Sequence, residues 1–256
     1  MNTKAVFFDI DGTLVGLYDR KVPQSTRRAL EEMRRKGIRL FICSGRAPGF
    51  RETLTKEVDF AFDGYVFLNG QYCVDGEGTC FYELSFRPET TQQVYTWLKE
   101  HPQVEWCAME RDYTYASPKA GMPEGYAVVD DLDRMLAHTL YQVCPFIGPE
   151  QDEDFLNAVS GAASARWIDW FADVIPAEGG KNVGMQQMLD HFGIRREESI
   201  AFGDGGNDIP MLRYAGVGVA MGNAKDDVKE SADYVTADVD DDGIYKALRH
   251  FGVIEE

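Results

Sequence analysis

Residues 4–14 read KAVFFDIDGTL, an apolar run that stops at two aspartates, Asp9 and Asp11. A short apolar run bounded by polar residues is typical of a strand that is buried on both faces, as in a parallel sheet. An Asp-x-Asp pair taken alone is common and more often marks a solvated turn. Here the pair follows a buried strand and precedes Gly-Thr, so we expect Asp9 to be held rigidly at the strand end.

The same pattern of an apolar run followed by a polar cluster recurs along the chain, with helical patterns between the runs. It recurs in residues 38–46, 65–70 and 199–208, whose polar ends read Ser44-Gly45-Arg46, Asn69-Gly70 and Gly203-Asp204-Gly205-Gly206-Asn207-Asp208. Alternating strands and helices predict an α/β fold with a doubly wound, Rossmann-like parallel-sheet core. Ligands of such sheets bind at the carboxyl ends of the strands, so we expect the polar clusters to converge there.

Residues 84–180, which we call the insert, follow a different pattern. Strands are predicted within residues 105–116, 139–147 and 166–170, and helices over residues 88–101 and 152–159. Successive strands without a crossover helix favour an antiparallel sheet with helices on one face. We therefore predict a catalytic core formed by residues 1–83 and 181–256, interrupted by an inserted α+β domain of residues 84–180 that selects the substrate.

The composition excludes several classes of function. The net charge is −17, with 43 Asp and Glu against 26 Lys and Arg, and no basic stripe is present. This argues against a nucleic-acid partner, and it means that an anionic substrate needs positive charge placed locally. The five cysteines are scattered without a CxxC pair, which disfavours disulfides and zinc. Because we find neither a signal-peptide core nor a membrane span, we expect a cytoplasmic protein without a membrane partner.

The polar clusters supply what phosphoryl transfer requires: a nucleophile, an acid and positive charge on the phosphate. We assign Asp9 as the nucleophile that forms an aspartyl-phosphate. Asp11 can protonate the leaving alcohol and then accept a proton from water, and nearby carboxylates would favour this by raising its pKa. Lys181 offers a point charge and Ser44 a hydroxyl donor. Considered without the other clusters, Lys181 would be interpreted as a solvated lysine at a helix start and Ser44 as a helix cap.

A metal ion is expected in the same crevice. Together, the carboxylates of Asp9, Asp11, Asp204 and Asp208 would repel one another strongly, and a bound cation resolves that repulsion. Since all candidate ligands are oxygens, the sequence points to Mg²⁺ rather than zinc.

In their order along the chain, four segments resemble the four motifs of the haloacid-dehalogenase-like superfamily: Asp9-x-Asp11-Gly12-Thr13, Ser44-Gly45-Arg46, Lys181 and Gly203–Asp208. The insert, which lies between the second and third motifs, is similar to the second cap type, as in the Cof-type phosphatases. The resemblance implies that the phosphate is held by Ser44, Gly45, Lys181 and Asn207. It implies that Mg²⁺ binds the carboxylates of Asp9 and Asp204 and the backbone carbonyl of Asp11. Asp208 would orient Lys181 or a metal-bound water.

Within that superfamily, the presence of Asp11 favours a phosphatase or a phosphomutase over carbon–halogen cleavage. We expect a Mg²⁺-dependent phosphatase acting on a small phosphorylated metabolite, such as a sugar phosphate. A phosphosugar mutase with the same nucleophile and a catalytically idle binding protein are the alternatives. A mutase should carry a second basic cluster in its cap, whereas the basic residues of the insert are dispersed. The sequence does not determine which metabolite is the substrate or how many copies of the chain assemble.

Overall fold

The computed structural model describes residues 2–16, 18, 20–122 and 125–255. Within these ranges the strands form two sheets, one of eight strands and one of six. In chain order the strands are β1 (Ala5–Phe8), β2 (Arg39–Cys43), β3 (Gly64–Phe67), β4 (Tyr72–Asp75), β5 (Cys80–Glu83), β6 (Trp106–Met109), β7 (Thr114–Ala116), β8 (Ala127–Val128), β9 (Gln142–Pro145), β10 (Ala162–Ser164), β11 (Val174–Pro176), β12 (Ser199–Gly203), β13 (Val217–Ala220) and β14 (Tyr234–Val235).

The larger sheet has the strand order β14-β13-β12-β1-β2-β3-β4-β5. The strands from β14 to β3 run parallel, and β4 and β5 are added antiparallel at one edge. The strand order reverses between β1 and β12, which is the topological switch point at which ligands of such sheets bind. The predicted α/β fold with a parallel-sheet core is confirmed, and the sheet places the ends of β1 and β12 side by side.

Helices cover both faces of the larger sheet because successive side chains of a strand point to opposite sides. Val6 and Phe8 belong to an apolar cluster with helices α1 (Gln24–Arg35), α2 (Arg51–Val58) and α9 (Gly243–His250). Ala5 and Phe7 pack on the other face with α6 (Lys181–Phe192), α7 (Ile209–Tyr214) and α8 (Asp226–Ser231). No helix in the described ranges has the length and apolar character needed to cross a membrane. The helices are α1 (Gln24–Arg35), α2 (Arg51–Val58), α3 (Pro88–Glu100), α4 (Arg134–Ala137), α5 (Asp152–Ala158), α6 (Lys181–Phe192), α7 (Ile209–Tyr214), α8 (Asp226–Ser231) and α9 (Gly243–His250).

The smaller sheet is built from residues of the insert and has the order β10-β11-β9-β6-β7-β8. Its neighbours pair antiparallel except β7 and β8. Trp106 and Ala108 pack with α3, α4 and α5, whereas Cys107 and Met109 belong to the cluster of the larger sheet. One face of the smaller sheet therefore carries helices and the other meets the core. That the insert is a separate domain remains our proposal.

The predicted strand over residues 166–170 is wrong. These residues form the connection between β10 and β11. The guanidinium of Arg166 donates hydrogen bonds to the carbonyl oxygens of Ile168, Asp169 and Phe171, at 3.1, 3.1 and 2.8 Å. Because these carbonyls are bound by a side chain instead of a neighbouring strand, the segment closes into a turn despite its aromatic residues.

Candidate active site

The polar clusters meet where the strand order reverses. Asp9 follows β1, and its backbone amide donates to the carbonyl of Phe202 in β12 at 3.0 Å. Asp204 directly follows β12, and Lys181 begins α6. The neighbouring strand ends thus bring Asp9 next to the loop of Asp204, although about two hundred residues separate them in sequence.

Lys181 forms the centre of a buried charged triad with Asp9 and Asp208. Its ammonium nitrogen lies 2.6 Å from Oδ1 of Asp9 and 2.5 Å from Oδ1 of Asp208. The Lys181 side chain is fully buried. Burial lowers the pKa of Lys181, but Asp208 and Asp9 outweigh it and raise the pKa above its usual value. Lys181 is therefore a fixed buried cation beside Asp9, and not a solvated lysine at a helix start.

Asp208 also holds the loop that follows β12. Its Oδ2 accepts hydrogen bonds from the backbone amides of Asp204 and Gly205, at 3.0 and 2.9 Å. Both oxygens of Asp208 are thus engaged, one by Lys181 and one by the loop. This arrangement suits a residue that positions other groups better than one that binds a metal ion.

Three carboxylates in this crevice are close enough to hold one cation. Asp9, Asp204 and Asp208 each offer an oxygen within 4.8 Å of the others. Burial, and then the neighbouring carboxylates, raise the pKa of Asp9 well above its usual value despite Lys181. Burial and Asp208 raise the pKa of Asp204 to about 7. The ionised carboxylates are therefore costly without further positive charge, so this oxygen-only set fits a divalent cation such as Mg²⁺.

Two residues that we did not single out from the sequence hold Asp204 in place. Thr13 donates from Oγ1 to Oδ1 of Asp204 at 2.7 Å. Asn223 donates from Nδ2 to Oδ2 of Asp204 at 3.3 Å and to the carbonyl oxygen of Gly12 at 2.9 Å. Gly12 has a φ of +86°, and a Cβ atom there would collide with the Asp204 carboxylate. Asn223 comes just after the end of β13, so the strand-end rule that found the other residues could have found it.

Asp11 lies in a different electrostatic environment from the one we expected. Its carboxylate accepts hydrogen bonds from Arg46, at 2.9 Å from Nη2 to Oδ1, and Arg20 lies 2.6 Å from the same oxygen. Both arginines also contact Glu57, at 2.7 and 2.9 Å. Burial raises the pKa of Asp11, but Arg46 and Arg20 together lower it below its usual value. The expectation of a raised pKa is therefore wrong, because the two arginines outweigh the effect of burial.

The remaining predicted phosphate-binding residues surround the same crevice. Ser44 is buried and its Oγ accepts the amide of Arg46 at 3.1 Å, which closes a turn. The side-chain Nδ2 of Asn207 donates a hydrogen bond to Oδ1 of Asn69 at 3.0 Å. A Cβ atom on Gly45 would lie 3.1 Å from Nδ2 of Asn69. Asn69 thus joins the turn of Ser44 and Gly45 to the loop that contains Asn207. This link is not visible in the sequence.

The chain is similar in sequence and in fold to known phosphatases. The model of the haloacid dehalogenase-like hydrolases matches residues 6–248. A Bacillus subtilis (strain 168) protein named "Putative phosphatase YkrA" is 32% identical over 100% of both chains. The solved structure of a HAD subclass IIB sugar phosphatase has a TM-score of 0.89 at 37% identity, covering 98% of this chain and 100% of that one. A phosphatase of the same superfamily from Bacteroides thetaiotaomicron has a TM-score of 0.89 at 33% identity, covering 98% and 96%.

Proposed function

The chain belongs to the haloacid dehalogenase-like hydrolases, and we propose that it is a Mg²⁺-dependent phosphatase that hydrolyses small phosphomonoesters through an aspartyl-phosphate on Asp9. The observation that carries the proposal is the buried contact of Lys181 with Asp9, at 2.6 Å, beside Asp204. A buried carboxylate fixed by a cation, next to further carboxylates that can hold a metal ion, has the parts needed for nucleophilic attack on phosphorus.

In the first step, a carboxylate oxygen of Asp9 attacks phosphorus and the bond from phosphorus to the leaving oxygen breaks. Lys181 donates a hydrogen bond to Oδ1 of Asp9 and so holds the carboxylate in place for the attack. Lys181 also places positive charge next to the phosphate oxygens, where Ser44, Gly45 and Asn207 would complete the binding site. Asp11 gives its proton to the leaving alkoxide.

In the second step, water attacks the phosphorus of the aspartyl-phosphate and the bond to Asp9 breaks. Asp11 accepts the proton of the water and is restored to its protonated form. The two arginines favour ionised Asp11, which is the form that accepts this proton. To donate a proton in the first step, Asp11 must be protonated, and that requires its contacts with the two arginines to break. We infer that substrate binding displaces the arginines from Asp11.

Mg²⁺ would be held by the carboxylates of Asp9 and Asp204 and by the backbone carbonyl of Asp11. When bound, it neutralises charge on the nucleophile and on the transferred phosphate. We assign Asp208 to the support of Lys181 and not to the metal, since both its oxygens already accept hydrogen bonds.

A phosphosugar mutase is disfavoured by the basic residues of the insert. A mutase must bind a second phosphate, which requires unpaired positive charge facing the core. Each arginine of the insert is instead paired with a neighbouring carboxylate, and the two lysines of the insert, Lys99 and Lys119, lie twenty residues apart in the sequence. The pairs are Arg87 with Glu178, Arg111 with Asp112, Arg134 with Glu110 and Arg166 with Asp152.

The proposal is tested by measuring phosphate release from a panel of phosphorylated metabolites and from an aryl phosphate. Chelation should remove the activity, and Mg²⁺ should restore it. Because burial raises the pKa of Asp204 to about 7 and also raises that of Asp9, and because metal ions bind ionised carboxylates, Mg²⁺ affinity should rise with pH and level off once both carboxylates are ionised. Calorimetric titration of the metal at several pH values measures this. Full activity in excess chelator would contradict the proposal.

Replacing Asp11 by asparagine should separate proton transfer from metal binding. We expect kcat to fall by about 10² to 10⁴, the usual contribution of general acid–base catalysis. Mg²⁺ affinity should change little, because only the backbone carbonyl of Asp11 is proposed as a ligand. Steady-state kinetics and metal titration of Asp11→Asn check both statements. Loss of metal binding together with activity would show that the side chain is itself a ligand.

A further inference from the structure

Two arginines and a glutamate are linked to the carboxylate of Asp11, and the mechanism gives them no role beyond releasing it. Arg46 holds this carboxylate through two nitrogens, with Nη2 at 2.9 Å from Oδ1 and Nε at 3.2 Å from Oδ2. Arg20 lies 2.6 Å from the same Oδ1. Glu57 contacts both arginines, at 2.7 Å from Arg46 and 2.9 Å from Arg20. We call these four side chains the Asp11 network; they carry two positive and two negative charges.

The backbone of Arg20 is strained where it presents its side chain to this network. Arg20 belongs to the connection between β1 and α1 and has a φ of +55°. For a residue other than glycine, this conformation costs free energy and is kept mainly at functional sites. The Arg20 side chain is 49% exposed, and ion pairs with exposed partners add little to folding stability. The strain therefore indicates a role in binding and not in folding.

The Asp11 network lies next to the position that the leaving group must occupy. Asp11 can protonate the leaving oxygen only within hydrogen-bond reach of it, at about 2.6–3.2 Å. Arg46 and Arg20 both contact Oδ1 of Asp11. With Asp11 in its present position, their guanidinium groups would thus lie within about 6 Å of the leaving oxygen. A charged group attached close to that oxygen would therefore meet the arginines.

The network loses its charge balance when Asp11 turns to the leaving oxygen. The contacts of Asp11 with Arg46 and Arg20 then break, and two guanidinium groups remain against the single charge of Glu57. Only 22% of the Arg46 side chain is exposed, so water replaces the lost partner incompletely. An anionic leaving group competes with Asp11 for the arginines, whereas a neutral one does not. It therefore supplies free energy for the displacement that a neutral leaving group lacks.

We propose that Arg46 and Arg20 recognise a carboxylate on the leaving group, so that the substrates are phosphate monoesters of hydroxy acids. Arg46 already holds a carboxylate through two nitrogens, which is the planar geometry that arginine uses for this anion. The substrate carboxylate would take the place that Asp11 vacates and restore the charge balance. The arginines also provide the local positive charge that an anionic substrate needs at a chain of net charge −17. This inference rests on the proposed phosphatase function.

The test uses two pairs of substrates that differ only in the recognised group. D-Glycerate 3-phosphate is compared with glycerol 3-phosphate, and D-glycerate 2-phosphate with glycerol 2-phosphate, so that in each pair a carboxylate replaces a hydroxymethyl group. For the unmodified chain, we expect kcat/KM to be at least about tenfold higher for the carboxylate member of one pair or both. We call this quotient the carboxylate preference. In Arg46→Met and in Arg20→Met it should fall toward one.

Glu57→Gln should change the carboxylate preference in the opposite direction. Glu57 competes with the substrate carboxylate for the same guanidinium groups, so its neutralisation should raise the preference. A network that only holds the loops in place would instead lower both kcat/KM values together in all three variants. Glu52→Gln, on the same helix and in an exposed pair with Lys56, is the matched control and should leave the preference unchanged. Unfolding temperatures of all variants show that each one is folded.

The outcomes separate this inference from the function on which it rests. A carboxylate preference near one in the unmodified chain would overturn the inference and leave the phosphatase function intact. An unchanged preference in both arginine variants would overturn it as well, and so would a fall in Glu57→Gln to the level of the arginine variants. If the unmodified chain releases phosphate from none of these esters and from no aryl phosphate, the proposed phosphatase function itself fails.

Discussion

Asp9→Asn is expected to abolish phosphate release from every substrate, with kcat reduced by at least about 10⁴-fold, as is usual when a nucleophile is removed. An amide is too poor a nucleophile to attack phosphorus at a useful rate. The side chains differ by one atom, and Lys181 can still donate to the amide oxygen. The fold should therefore be kept, and since burial raises the pKa of Asp9, removing its charge should not destabilise the metal-free protein.

The measurements are phosphate release and mass spectrometry of the protein after brief exposure to substrate. The unmodified chain should carry one added phosphoryl group, and Asp9→Asn none. Asp190→Asn, an exposed aspartate on α6, serves as the control and should keep full activity. Turnover by Asp9→Asn near the rate of the unmodified chain would refute the aspartyl-phosphate mechanism.

Lys181→Met should have a large effect on both catalysis and stability. Removing the cation that contacts the nucleophile and the phosphate should reduce kcat/KM by at least about 10²–10³-fold. It also leaves Asp9 and Asp208 buried without their partner. Breaking one side of a buried ion pair usually costs about 3–5 kcal/mol of unfolding free energy. We expect that loss in the metal-free protein at pH 8.

The pH dependence identifies the cause of this destabilisation. The folded-state pKa of Asp9 is raised, so its ionised form is disfavoured on folding, and without Lys181 this penalty grows. The stability difference should therefore shrink as the pH falls and Asp9 takes up a proton. Mg²⁺ should restore part of the stability, since it binds the folded state. Denaturant unfolding at several pH values measures the effect.

Lys56→Met is the control variant. It removes an exposed ion pair with Glu52 and should cost less than about 1 kcal/mol of unfolding free energy. An equal loss in both variants would exclude the buried triad as its source.

Part of the site could be predicted because each residue carries a local signal. Asp9 and Asp204 directly follow buried strands, and Lys181 begins a helix whose apolar spacing is clear. These signals depend only on neighbouring residues, so they can be read from the chain. The meeting of strand ends at one edge of a parallel sheet then follows from the order of strands and helices. The same reasoning missed Asn223, although it follows β13, because we did not treat it as a strand-end residue.

Other features depend on contacts between distant segments. The lowered pKa of Asp11 is decided by Arg46 and Arg20, which outweigh burial and approach Asp11 from two other parts of the chain. Nothing in the local sequence distinguishes these arginines from solvated ones. The predicted strand over residues 166–170 likewise failed because the Arg166 guanidinium binds the carbonyls of that segment.

The sequence by itself determined the fold class, the family resemblance and the candidate nucleophile, because apolar periodicity and strand-end chemistry are properties of short segments. Only the tertiary structure decided which charges are buried together. It placed Lys181 between Asp9 and Asp208, turned the Asp11 carboxylate toward arginines, and brought Asp173 of the insert to Asn69. The physical reason is that electrostatic and hydrogen-bond energies depend on distance and burial. Neither quantity is defined until chain segments that lie far apart in sequence have packed against each other.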